Sequence, residues 1–583
     1  MTQTYNDYFK KELHRLKTIG KEFSKENPVL SPMFSGSGTD ADVERLLEGV
    51  AFLTAGINKK LDDEYPEILH SLVQSVCPQY LQPVPSATMI EFTPKTNLNE
   101  VFKIPGGTHI DSIKVGDISC KFSTCFDIDI YPAAITNVTI RENAGDSSRS
   151  SIQIKLDFQL NTMNLSEFSL NNIRLFLSGD FHNCSNLFFL LNHYLENITV
   201  HGSDGLEDCV LDKDKILSGS FYENDSLYPF PTNVFPSYRV LREFFIFPEK
   251  FLNIDLDITS WQNRGDGDRF SITFNCKKFP YQLPEINQET FRLFTVPAVN
   301  LFPHEAEPIL TEQQESEILV QPASLNNGSY QIFSVDKVTG FERGASKSRD
   351  FVPFTGYIPE SEENPVYNLI FRPSVTEEQM DINLSIAYPP TDEMPESEII
   401  STLLTCSNGR LPENLQVGEI SKAAGNTPEL VTFKNISPVT TSYPPPLEDK
   451  LLWYLLSYLS INFLSLADSE NLKSCLNSCL VSGGRDKVRE ISNEKKITSV
   501  KEVIITPKEF LIKGSLYRGK SIMIKIDINN FGSHGDMYLF GSVLDYFLGS
   551  YASMNTVTEL VFLDEKNGDK IKWPTRLGTR PLL

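Results

Sequence analysis

Residues 151–160, SIQIKLDFQL, decide how the middle of this chain folds. Ile152, Ile154, Leu156, Phe158 and Leu160 alternate with Gln153, Lys155, Asp157 and Gln159. Successive side chains of a strand point to opposite faces, so a period of two gives one apolar face and one wet face. That pattern predicts a strand of an antiparallel sheet with one side on a core. The neighbouring stretches read alike. ATMIEFTP (87–94), VFKIPGGTHI (101–110), KFSTCFDIDIYP (121–132) and AAITNVTIRE (133–142) are short alternating runs between turn residues. Further on, FLNIDLDI (251–258), SITFNCKK (271–278), SEENPVYNLIFRP (361–373) and MDINLSIAYPP (380–390) continue the strand signal. Helices interrupt it at NLFFLLNHYL (186–195) and YRVLREFFIF (238–247). Gly106-Gly107 suits a hairpin turn between two strands.

Outside this middle the period changes to that of a helix. Tyr5, Phe9, Leu13, Leu16, Ile19 and Phe23 stand three or four apart and form one apolar stripe, with Lys10, Lys11, Lys17, Lys21 and Lys25 between them. The helix is expected to stop near Asn27-Pro28, because the residue before proline avoids helical geometry. Thr39 and Asp42 then give a cap-like start. Val43, Leu46, Leu47, Val50, Leu53, Ile57 and Leu61 carry the pattern on, with Pro66 at a position where a new helix can begin. Residues 1–82 therefore read as a helical hairpin or three-helix unit. The stripe faces either its own neighbours or the helices of a partner.

At the other end, Pro444-Pro445-Pro446 reads as a linker and Leu447–Ala467 as a long helix. KEVIITPKEFLIKG (501–514) and KSIMIKIDI (520–528) alternate, 537–554 reads as a helix, and Asn567-Gly568 marks a closing hairpin. Gly483-Gly484 reads as a helix cap. The chain has 583 residues, too many for one core. The expected fold class is α+β and multidomain: a helical unit at 1–82, β-rich domains at 83–290 and 291–440, and a mixed helix and strand domain at 441–583.

The net charge is −23, which argues against nucleic acid as a partner. The nine cysteines have no framework spacing and read as reduced, buried thiols. The first residues, MTQTYNDYFKKELHRLK, carry no apolar run of a secretory signal. The apolar stretch 451–467, LLWYLLSYLSINFLSLA, is short for a membrane span and reads as a core helix, so no direct membrane insertion is expected. The eight histidines are scattered, and no phosphate loop, nucleophile elbow or metal-ligand spacing is present. No catalytic residue, cofactor or metal is expected. The candidate sites are contact residues: Tyr5, Phe9, Leu13, Leu16, Ile19 and Phe23 on the first helix, and the aromatic side chains Trp453, Tyr546 and Trp573.

Several stretches together resemble the TssF family of type VI secretion baseplate proteins. They include Tyr8-Phe9-Lys10-Lys11-Glu12-Leu13, then ADVERLLEGVAFLTAGINKKLDDEYPEILHSLVQSVCPQYLQPVPS (41–86). REFFIFPEKFLNIDL (242–256), FTVPAVNLFPHEAEPI (294–309), LLTCSNGRLPENL (403–415) and LLWYLLSYLSINFLSLAD (451–468) follow. FGSVLDYFLGSYASMNTVTEL (540–560) and KWPTRLGTRPLL (572–583) complete the series. Residues 310–400 bring no family motif, and 86–230 match only around FKIPGGTHI and FSTCFDI. The resemblance implies a structural wedge subunit with no catalytic residue or cofactor. It implies TssG as direct partner, a second TssF copy, TssK, TssE and a VgrG hub. It also implies a cytoplasmic baseplate docked at the inner membrane complex, from which a contractile sheath and inner tube grow. The competing readings are a wedge protein of a phage tail or other contractile injection system, and an enzyme with a dispersed site. Leu16→Asp is expected to impair assembly more than folding.

Overall fold

A computed structural model describes residues 5–26, 41–143, 151–161, 163–167, 170–202, 207–217, 219–230, 236–312, 317–323, 330–342, 348–354, 365–374, 380–389, 397–425, 427–445, 451–452, 455, 468–512, 514–554 and 556–578. The chain divides into two compact units, Met1–Ser75 and Val76–Leu583.

The first unit is helical, as its periodicity predicts. Helix α1 spans Tyr5–Glu26 and α2 spans Ala41–Val76. Pro66 lies inside α2 and starts no new helix. A proline removes one backbone bond and strains one turn. Here 36 residues of continuous ladder, apolar on both sides of the proline, carry the helix through. Residues 41–76 thus form one helix, where the three-helix reading has two.

The second unit is built on sheets. Residues 151–160 lie inside a five-stranded sheet, between Ala133–Asn143 and Arg269–Cys276. The register carries the apolar face across three strands. Ile154 lies opposite Ile140 and Phe274, and Leu156 opposite Val138 and Ile272. Phe158 lies opposite Ile135 and Phe270 and stacks on the Phe270 ring at 4.6 Å. A six-stranded sheet joins distant stretches: Ala87–Pro94 lies between Thr295–Val299 and Val431–Asn435. The stretch between these last two holds an eight-stranded sheet around Ser397–Ser407 and Gln331–Glu342, with its own core of Phe302, Val338, Phe351, Leu384, Ile400 and Leu404.

Two glycine readings change in three dimensions. Gly107 has φ 79° and does turn the chain. However, Phe102–Ile104 pairs with Ile128–Ile130, while His109–Val115 joins the six-stranded sheet. The turn therefore separates two sheets and closes no hairpin. Gly483 has φ 97° but lies beyond the end of the helix Ser469–Ser478, whose cap is Cys479. It serves a loop, where Gly484 leaves room for the Tyr443 ring, 2.4 Å from a Cβ built there.

Helices fill the centre. They are α3 (Phe181–His193), α4 (Pro236–Ile246), α5 (Ser469–Ser478), α6 (Lys487–Thr498) and α7 (His534–Ser550). Helix α7 is buried around nearly its whole circumference, which is the place for a helix without a polar face. Ser533 caps it, accepting from the Asp536 N–H at 3.0 Å. It also connects Ser515–Ile526 to the parallel strand Val557–Asp564, a strand–helix–strand unit. Strand Val557–Asp564 then turns at Gly568 (φ 71°) into Lys570–Lys572, as Asn567-Gly568 predicts.

One polar knot sits inside this core. Glu243 on α4 takes Arg239 at 3.3 Å and Lys250 on either side, with side chains 4%, 2% and 1% exposed for Arg239, Glu243 and Lys250. The Leu227 N–H donates to the same carboxylate at 2.8 Å, and Arg239 donates to the Tyr222 carbonyl at 2.9 Å. Burial pushes the Lys250 ammonium below its ordinary range, against the pull of Glu243.

Candidate partner-binding surfaces

The first unit presents more apolar surface than two helices absorb. On α1, Phe9, Leu13 and Leu16 are half-buried, whereas Ile19 and Phe23 are exposed. Tyr5 lies in the first turn of α1, and its side chain is outside the described residues. Lys17 ties α1 to α2 through Glu44 at 2.8 Å. On α2, Ala51, Ala55, Leu69 and Val73 are buried. Leu46, Val50 and Leu53 are not: they are 69%, 45% and 68% exposed. Their spacing of four and three puts them in one row along the helix. Fully burying such a side chain contributes about 1.5–3 kcal/mol, a gain that the exposed row does not realise within its own unit.

The α2 row was readable as helical period but not as surface. The available signal is excess: Leu46, Leu47, Val50, Phe52 and Leu53 within eight residues cover more than one face.

The C-terminal aromatic candidates occupy different environments. Trp573 is 3% exposed, stacked on Tyr538 at 5.1 Å, and donates its indole N–H to the Ser542 hydroxyl at 3.0 Å. Its large ring is satisfied within the core and offers no surface to a partner. Tyr546 is half-buried, 5.5 Å from the Phe221 ring, with the Arg576 guanidinium 5.6 Å from its own. Trp453, like most of the apolar stretch 451–467, lies outside the described residues.

The remaining chemistry is internal. All nine cysteines are free thiols, seven of them buried. Burial alone pushes Cys77 up to about 12, and burial is the main reason Cys120 rises to about 11. A thiol held protonated is a poor nucleophile and metal ligand. Among the described residues, no group of three or more His, Cys, Asp or Glu side chains is placed to hold a metal ion. A cavity of about 30 Å³ beside Tyr228, Arg242 and Glu243 has room for about one water molecule. Among the described residues, no helix is long and apolar enough to cross a membrane.

A sheet-built body with a helical unit that leaves apolar rows open is the design of an assembly subunit, and comparison with known proteins agrees. The family model described as "Type VI secretion system, TssF" matches residues 1–580. The chain belongs to the TssF family. It is 24% identical to the type VI secretion system component TssF1 of Pseudomonas aeruginosa, over 99% of both chains. It is similar to a chain of a type VI secretion TssK–TssF–TssG baseplate subcomplex solved by cryo-electron microscopy, at TM-score 0.77 and 27% identity, covering 91% of this chain and 98% of that one. A chain in a structure of the type VI baseplate complex shares the fold at TM-score 0.59 and 23% identity, over 99% and 100% of the two chains.

Proposed function

We propose that this chain is a structural wedge subunit of a type VI secretion baseplate and that it works by binding, not catalysis. Its direct partner is TssG. TssK, a second copy of the chain, TssE and the VgrG hub complete the assembly, which docks at the inner membrane complex and from which sheath and tube grow. The observation that carries this reading is the exposed apolar row Leu46–Val50–Leu53 on α2, together with exposed Ile19 and Phe23 on α1, in a chain of the TssF family that is similar over 91% of its length to a chain of a TssK–TssF–TssG baseplate subcomplex. An amphipathic helix pair of this kind docks by laying its apolar row into a bundle with a partner helix. Membership of a structural family and the protonated, buried thiols both favour a non-enzymatic role.

The test is co-expression of the full chain with TssG. Leu53→Asp is the better probe than Leu16→Asp. Leu53 is largely exposed, so a carboxylate there leaves the fold unchanged, whereas Leu16 is half-buried and a charge there also disturbs α1. Leu53→Asp is expected to weaken the complex at least about tenfold with an unchanged melting temperature. Wild-type recovery of TssG by a doubly substituted chain, Leu46→Asp with Leu53→Asp, refutes the assignment of this row.

A further inference from the structure

The eight-stranded sheet is apolar on both faces of its central strand. On Ser397–Ser407, Ile400, Leu404 and Cys406 are buried in the core of that module. Side chains alternate between faces, so Ile399, Ser401, Leu403 and Thr405 lie on the outer one. Ile399 is 40% exposed and Leu403 43%. The register widens this into a row across three strands. Ile399 lies directly opposite Leu310 on one side and Phe341 on the other, and these are 52% and 46% exposed. Such opposed side chains share a face, about 5 Å apart. The outer face of an antiparallel sheet is ordinarily polar. The five-stranded sheet keeps to this, with Gln153, Lys155, Asp157 and Gln159 outside. Four large apolar side chains gathered on the outer face of this sheet mark an interaction surface.

The charge around the row says what covers it. Residues 301–407 carry 18 acidic and 5 basic side chains. That balance of −13 is more than half of the chain's net charge of −23, on under a fifth of its residues. On the outer face itself, the Lys337 ammonium is already paired with Asp350 at 2.9 Å. Glu305 lies opposite Leu403, is exposed, and makes no ion pair among the described residues. Asp336 accepts from the hydroxyls of Ser334 and Thr405 at 2.7 Å each, and these supply no counter-charge. Among the described residues, the face therefore presents two carboxylates without a cation. An anionic bilayer, a nucleic acid and the same face of a second copy all carry the charge that this face repels.

We propose that the outer sheet face around Leu310, Phe341, Ile399 and Leu403 docks a basic surface of another protein. The apolar row seats against apolar side chains of that partner, while Glu305 and Asp336 meet its Lys or Arg side chains at the rim. An apolar centre within a polar, charged rim is the anatomy of a protein interface, and the charges select the partner and speed the encounter. The inference rests on the reading of the chain as an assembly subunit but concerns a surface separate from the α2 row.

The test uses the full chain, with Phe341 replaced by a photoreactive benzoylphenylalanine, in cells that build the apparatus. Phe341 is exposed and the analogue keeps its aromatic ring, so the melting temperature should not change. After irradiation the adduct is mapped by mass spectrometry. The expected product is an adduct to one other protein, at a peptide rich in Lys and Arg. Glu305→Lys should reduce it about tenfold with an unchanged melting temperature. An adduct at an acidic peptide, on a second copy of this chain or on lipid alone overturns the proposal, as does a basic-peptide adduct that Glu305→Lys leaves unchanged. So does the absence of any adduct from a chain that still co-purifies with TssG. That last condition separates failure of this surface from failure of the proposed function.

Discussion

Glu243→Ala is expected to destabilise the Val76–Leu583 unit by about 3–5 kcal/mol, the loss seen when one partner of a buried ion pair is removed. The substitution leaves two cations, Arg239 and Lys250, inside the core without their counter-charge. It also strips the Leu227 N–H of its acceptor. The deficit carries a pH signature. Lys250 is already depressed by burial, and losing Glu243 depresses it further. A lysine with a lower pKa folded than unfolded binds fewer protons in the native state, so stability rises with pH. The variant should therefore recover part of its loss as the pH approaches about 10, the ordinary range of a lysine. Urea unfolding at neutral and alkaline pH measures both effects. A loss below about 1 kcal/mol, the range of an ordinary exposed pair, would mean that the knot is solvated.

Gly535→Leu should be comparably damaging for a steric reason. A Cβ on Gly535 would stand 2.1 Å from the carbonyl carbon of Ser185, on the backbone of α3. Neither helix backbone can yield by a rotamer change, so α3 and α7 must part. Their contact includes the bond from the Gly535 N–H to Asn186 at 2.8 Å and the Ser185–Ser533 hydroxyl pair at 3.1 Å. Overpacking of a core costs about 1–3 kcal/mol and more where backbone is the obstacle. Gly541→Ala is the informative comparison, since its Cβ meets the Trp573 ring at 2.2 Å, a side chain and not a helix backbone. Thermal melting should rank Gly535→Leu as much the worse. Equal melting temperatures would show that α3 and α7 are not packed at backbone contact.

The two substitutions act on features of different legibility. The alternation at 151–160 and the stripe on α1 are local patterns, and side-chain period alone assigns them. Glu243 was visible only as part of a helical run, because its partners Lys250 and Leu227 come from other turns of the chain. Gly535 carried no signal at all. Its role appears only when α3, some 350 residues earlier in sequence, lies across it. The candidate surface divides in the same way. The α1 stripe and the period of α2 are written in sequence, but which apolar positions remain uncovered depends on what packs against them. Trp573 illustrates this: as an aromatic residue near the end it is as good an anchor as any, until Tyr538 and Ser542 enclose it.

By itself, then, the sequence determined the helical start, the antiparallel middle, the strand–helix–strand close and membership of the TssF family, because each rests on period, turn chemistry or motif order. Only the tertiary structure decided that 87–94, 295–299 and 431–435 share one sheet. It alone decided that Gly107 separates two sheets and that Leu46, Val50 and Leu53 stay exposed. Those facts are long-range pairings and exposures, fixed by which surfaces find each other in space and not by the residues next along the chain.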